Sequence, residues 1–379
     1  MRTGFGIFLS PLHDPRTDPH LNIHHDLELV ELADRLNLDE CWFGEHHSLG
    51  WPLVGAPETM IAAAATRTER IVLANGVVTV PFHHPFHIAT RALMLDHLTK
   101  GRYILGLGPG ATPNDAHMLG VPVDQLKPRT LAAIPTIIEL VNGTRRVTDR
   151  TDWYDLVDAR MQLPPHSPGG IRFAVSSVGS PFGPTVAAEF GMDLLSFGAP
   201  PPGWPGVDLA GQWRVAEEAA AARGTTVDRA RWRVAVPIHI AETREKAFAE
   251  AEAGFGRWMH NYWGDAVGAP VTPGPSARAD MLTAVAEKRA IIGSVEDAIE
   301  AIADLHERTG GFGTFLAYVM NWAPRSATKL CYELLATEVA PVFTGSTARG
   351  LDSIAWSQRW RAAKEADARA TDAVPATVR

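Results

Sequence analysis

Short apolar runs alternate with longer helical patterns almost from end to end, and this alternation limits the possible folds more than any other feature of the chain. The runs fall at residues 4–9, 40–45, 71–78, 103–107, 171–175, 193–197, 232–240 and 314–319. Each is continuous rather than two-periodic, as expected of parallel strands buried on both faces. The stretches between them, at 26–36, 57–66, 87–98, 128–142, 184–190, 208–223, 243–258 and 295–308, carry helical spacing and capping residues such as Thr243 and Ser294. Eight βα units predict an α/β fold, a (β/α)8 TIM barrel, with an open doubly wound sheet as the alternative arrangement of the same elements.

Two irregular stretches, 144–170 and 264–289, are too long for ordinary connections and are expected as insertions in βα loops near the barrel mouth. Residues 1–345 form the expected barrel domain. Residues 346–379, rich in Ala, Arg and Asp with Trp356 and Trp360 at i, i+4 spacing, form an expected C-terminal tail, helical or partly disordered.

Charge and cysteine usage narrow the function classes. The chain has 35 Lys plus Arg against 43 Asp plus Glu, a net charge of −8 with no long run of either sign, which argues against a nucleic-acid face. Cys41 and Cys331 sit in apolar contexts and cannot make a disulfide framework, so a cytoplasmic location is expected. The opening MRTGFGIFLSP is too short for a signal sequence, and no 18-residue uncharged apolar segment predicts a membrane span.

Chemistry in a parallel barrel collects at the C-terminal strand ends. The second run ends in Glu45, His46 and His47, placing an imidazole at the mouth with Glu45 beside it to fix its tautomer. His83, His84 and His87 follow the third run, but their spacing around Pro85 matches no metal-binding pattern, and no metal is expected. Gly106 and Gly108 lie in a G-x-G-x-x-A stretch interrupted by Pro109, which reads as a small-residue floor against which a flat ring approaches the backbone. Ser177, Gly179, Ser180 and Gly183 open a helix after the fifth run and suit an anion, with Arg129 as its cation. Gly76 and Val77 offer two small positions at the third strand end. Phe8, Trp51, Phe82, Phe86, Tyr262, Trp263 and Trp322 are candidates for an apolar pocket.

Together, WFGEHHS at 42–48, PFHHPF at 81–86, LDHLTKGRYILGLGPGATPNDAHMLG at 95–120 and IIGSVEDAIEAI at 291–302 resemble the bacterial luciferase-like flavin monooxygenases, in the limonene monooxygenase-like branch. The resemblance spans residues 4 to about 339. It implies a barrel that uses reduced flavin, supplied by a separate flavin reductase, with O2 as co-substrate, to oxygenate a small apolar organic substrate by way of a flavin C4a-hydroperoxide. By position it implies that His46 stands near the reactive flavin edge with Glu45 and His47 beside it. It further implies that Gly76 and Val77 support the ring, often through a non-prolyl cis peptide, and that Arg129 with the loop 179–183 holds the phosphate. The segment 264–289 matches a mobile lid.

The light-emitting luciferase subunit has a Cys-Arg pair where this chain has Gly108 and Pro109. The difference removes one phosphate-binding arginine, argues against light emission and leaves FMN and FAD both open. The alternatives are an F420-dependent hydride-transfer enzyme and a non-catalytic flavin-binding barrel subunit. A homodimer or homotetramer is the family expectation.

Overall fold

The computed structural model describes residues 2–10, 12–199, 206–271 and 274–372, so parts of the second irregular stretch (272–273) and of the tail (373–379) lie outside the described residues. Eight parallel strands close on themselves: β1 (Gly4–Leu9), β2 (Glu40–Phe43), β3 (Val72–Asn75), β4 (Tyr103–Gly108), β5 (Arg172–Ser177), β6 (Asp193–Phe197), β7 (Trp232–Ile240) and β8 (Thr314–Val319). Gly4 of β1 pairs in register with Thr314 of β8, which completes the barrel.

The apolar runs are filled from both sides. Phe8, Trp42, Ala74, Ile104, Ala174, Leu195, Ala235 and Leu316, one from each strand, form the interior cluster. Their neighbours along each strand, such as Ile7, Cys41, Leu73, Leu105 and Val175, pack outward against the helices. The helices begin and end where their caps dictate. Ser294 accepts from the Asp297 amide while Asp297 accepts from the Ser294 amide, and Gly310 closes the same helix, Val295–Thr309, with φ of 74°.

Charge is buried at the N-terminal end of the barrel. Arg233, 2% exposed near the start of β7, donates to Glu40 of β2 at 2.8 Å and also to Asp193 of β6, while the Trp42 indole donates to Glu40 at 2.8 Å. Arg231, partly exposed, also donates to Asp193 at 2.5 Å, so two guanidinium groups offset the two buried carboxylates.

The two irregular stretches differ in kind. Residues 144–170 lie in an αβ connection, not in a βα loop. They carry an antiparallel hairpin, Val147–Arg150 with Asp155–Ala159. The turn of that hairpin reaches toward the mouth, where the Trp153 ring lies 5.4 Å from the Arg129 guanidinium and the Tyr154 ring 5.8 Å from His84. The stretch after β7 belongs to the mouth: helix Arg244–Arg257 runs into a π-helix, Trp258–Ala266, and a further helix, Ala277–Ala286, leads to a short strand, Ile291–Gly293, added beside the end of β7. The tail is a helix, Ala348–Asp372, with Trp356 and Trp360 exposed and stacked at 6.4 Å. Among the described residues, no helix is long and apolar enough to cross a membrane.

Candidate active site

The third apolar run does not continue through 71–78. It breaks after Asn75, where the Gly76–Val77 peptide is cis, and resumes as Val78–Thr79 beside Leu107 and Gly108 of β4. The break turns backbone into the barrel. A Cβ on Gly106 would lie 1.9 Å from the Asn75 carbonyl oxygen, one on Gly108 2.5 Å from Val77 Cγ2, and one on Gly76 2.6 Å from the Phe8 ring. Gly106 and Gly108 are therefore small because the neighbouring strand end fills their interior side.

Glu45 does not hold His46, contrary to the expectation from adjacency. Its Oε1 accepts from His47 Nε2 and from His83 Nε2, each at 2.8 Å, and its Oε2 accepts from the Thr79 amide at 2.8 Å. Successive residues leaving a strand diverge, so Glu45 points toward the β3 loop while His46 faces the segment after β4. His46 Nδ1 lies 3.5 Å from Asp115 Oδ2 and 3.4 Å from Thr112 Oγ1. Asp115 also accepts from the His47 amide at 3.2 Å and from the Ser48 hydroxyl. It is buried on the short helix Pro113–Met118, and no strand-end pattern marked it. Burial pushes its carboxyl up, but the hydrogen bonds from His46 and Ser48 outweigh this and bring it below its ordinary value. Asp115 is thus the carboxylate that faces His46 Nδ1.

His83 joins this network, whereas His84 caps helix Pro85–Leu98 by accepting from the Phe86 amide at 3.2 Å. Glu45, His47 and His83 present ligand atoms within 4.8 Å of one another. Their shared acceptor, Glu45 Oε1, accounts for that closeness through hydrogen bonds alone.

The residues expected to hold an anion come from two elements, which meet through Lys127 and Ser180. Arg129 Nε and Ser177 Oγ are buried without hydrogen-bond partners, and Lys127, which the sequence reading missed although it stands two residues from Arg129, donates to Ser180 Oγ at 3.4 Å. A Cβ on Gly183 would lie 2.4 Å from the Ser176 carbonyl oxygen, so this glycine allows the helix Phe182–Phe190 to seat directly on β5; Gly179 faces open space. Two orphaned donors, a lysine and an open glycine fit a phosphate-bearing cofactor.

Fold and mouth define a (β/α)8 enzyme able to seat such a cofactor across the C-terminal strand ends. The chain belongs to the luciferase-like monooxygenase family, whose model matches residues 3–311. It is 46% identical over 360 residues to 4-hydroxyprotoasukamycin monooxygenase of Streptomyces nodosus subsp. asukaensis, covering 95% of this chain and 96% of that one. It is 43% identical over 350 residues to limonene 1,2-monooxygenase of Rhodococcus erythropolis, covering 91% and 87%. Among solved structures, the oxygenating constituent of 3,6-diketocamphane monooxygenase of Pseudomonas putida, in complex with FMN, superposes with a TM-score of 0.74 at 25% identity, covering 90% of this chain and 98% of that one.

Proposed function

We propose that this chain is the oxygenase of a flavin-dependent system, taking reduced FMN or FAD from a separate reductase and inserting one atom of O2 into a small apolar organic molecule. Bound reduced flavin supplies the two electrons and the carbon at which oxygen is activated. The chain's own residues do the rest. Gly76 and Val77 support the ring, while Arg129, Lys127, Ser177, Gly179 and Ser180 hold the phosphate. His46, its Nδ1 facing Asp115, presents Nε2 as the group that holds or moves a proton at the ring edge. The segment from Trp258 onward excludes water. A homodimer or homotetramer is proposed from the family.

The observation that carries this reading is the grouping at the C-terminal strand ends: Thr79 tied by Glu45 to the loop that bears His46, with Arg129 Nε and Ser177 Oγ buried and unpartnered. Its test is to supply the protein with chemically reduced FMN or FAD, 18O2 and limonene or a ketone analogue, then measure label in the product. One 18O atom per product molecule is the expected result. Hydride transfer from reduced F420 with no oxygen consumed would move the assignment to the hydride-transfer class. His46→Ala is expected to leave flavin affinity within about threefold while product per flavin oxidised falls at least tenfold, a general acid-base contribution being about 10²–10⁴-fold. Unchanged coupling removes His46 from the chemistry.

A further inference from the structure

The roof of the mouth is a chain of aromatic rings contributed by four segments. Ring centroids run from Phe255 to Trp322 at 5.0 Å, Trp322 to Trp258 at 5.4 Å, Trp258 to Trp263 at 6.0 Å, Trp263 to Tyr262 at 5.0 Å and Tyr262 to Trp51 at 5.9 Å. Trp51 follows β2, Trp322 follows β8, and the others lie on the helix after β7 and its π-helical extension. Gly254 permits the assembly, because a Cβ there would lie 1.9 Å from the Trp322 carbonyl oxygen; the helix rests directly on the backbone of the β8 loop.

This roof is not uniformly apolar. The indole nitrogens of Trp258, Trp263 and Trp322 are all buried and none makes a hydrogen bond, and Trp322 as a whole is only 4% exposed. An indole N–H can only donate, and a buried donor without an acceptor loses the bond it would have made to water. One such group is an ordinary packing compromise. Three on successive rings of one cluster, on segments that follow the C-terminal ends of β7 and β8, form a set of donors without acceptors. A pure hydrocarbon would satisfy the rings and leave every donor unpaired. A guest with a carbonyl, hydroxyl or amide oxygen satisfies both.

We propose that the substrate is an apolar molecule bearing an oxygen acceptor, held by an indole N–H of the Trp258–Trp263–Trp322 cluster, and not an unsubstituted hydrocarbon. The proposal rests on the monooxygenase reading and adds the substrate class to it. Sites that hydrogen-bond a polar substituent discriminate more sharply than apolar ones, because the analogue lacking that group leaves protein donors unpaired.

The test is isothermal titration of the full-length protein with two probes of one carbon skeleton: limonene, and carvone, which adds a ketone. The informative quantity is the ratio of the limonene Kd to the carvone Kd, which cancels the shared apolar contacts. It is measured for the wild type and for Trp258→Phe, Trp263→Phe and Trp322→Phe, each keeping an aromatic ring and removing the N–H. The expected result is a fall in that ratio of about tenfold in at least one variant, the size of one net hydrogen bond, with limonene affinity little changed. A ratio unchanged in all three variants, or no carvone binding to the wild type, overturns the proposal. The titration is run without reduced flavin or O2, so this outcome and that of the 18O experiment are read separately.

Discussion

Glu45 sets the charge balance of the mouth. Burial pushes its carboxyl up, yet the hydrogen bonds from His47 and His83, the charge of His83 and the Thr79 amide together bring it down to about 2. In return the hydrogen bond to Glu45 raises the His47 imidazole above its ordinary value against the opposing effect of burial. A carboxyl depressed on folding contributes stability that is complete above its unfolded value of 4.5 and is lost as pH falls toward 2, here about 3 kcal/mol in all. Glu45→Gln is therefore expected to lower stability at pH 7 by about 1–3 kcal/mol, with the gap to wild type narrowing by pH 3; urea unfolding at both pH values checks this. His25 works in the opposite chemical sense but the same direction of pH. Its ring nitrogens are buried without hydrogen bonds, and burial, then the charges of Arg325 and Lys329, hold it down at about 4. The unfolded chain takes up this proton near 6.5 and the folded one does not, so stability declines as pH falls from 6.5 to 4. In His25→Leu that part of the acid limb should flatten in a series of melting temperatures against pH; an unaltered slope would show that another group is responsible.

Elements explain why glycines that look alike in the sequence do different work. Gly106 and Gly179 were both expected beside a cofactor. A methyl on Gly106 meets the Asn75 carbonyl oxygen at 1.9 Å, backbone that has nowhere to go, whereas one on Gly179 meets nothing within 4 Å. Gly106→Ala should cost about 2–3 kcal/mol and weaken flavin binding by displacing the Gly76–Val77 seat, while Gly179→Ala should change stability by less than about 0.5 kcal/mol. Chemical denaturation of the two variants side by side is the check, and equal costs would contradict the packing described. Hydrophobic periodicity located β3 but not its break, because an apolar run looks the same whether the backbone continues along the sheet or turns into the barrel. The same limit applies to the stretch after β7, where a π-helix and a helix replace an expected irregular loop.

At the scale of the whole molecule the two ends of the barrel divide the work. The C-terminal end holds His46, the Gly76–Val77 peptide and the residues proposed to hold the cofactor; the N-terminal end holds Arg233 between Glu40 and Asp193. Removing one member of a buried charge group leaves the others uncompensated, so Arg233→Ala should destabilise by about 3–5 kcal/mol while any folded fraction keeps its flavin affinity. A thermal melt with and without flavin separates the two effects. A small loss of stability would mean that water reaches this end and solvates the carboxylates.

The order of the eight strands, the helices between them and the placing of an imidazole, His46, just beyond the end of β2 were written in the sequence, because burial on both faces demands continuous apolar runs and parallel barrels gather polar groups where those runs stop. Tertiary structure alone decided the partners. Asp115, 69 residues from His46, faces it in place of the adjacent Glu45; Glu40 and Asp193 reach Arg233 from other strands; Lys127 meets Ser180 across two elements. Local patterns report which way a segment buries its apolar face, whereas the identity of a charge's partner depends on barrel closure, which brings strand ends distant in sequence within hydrogen-bond reach.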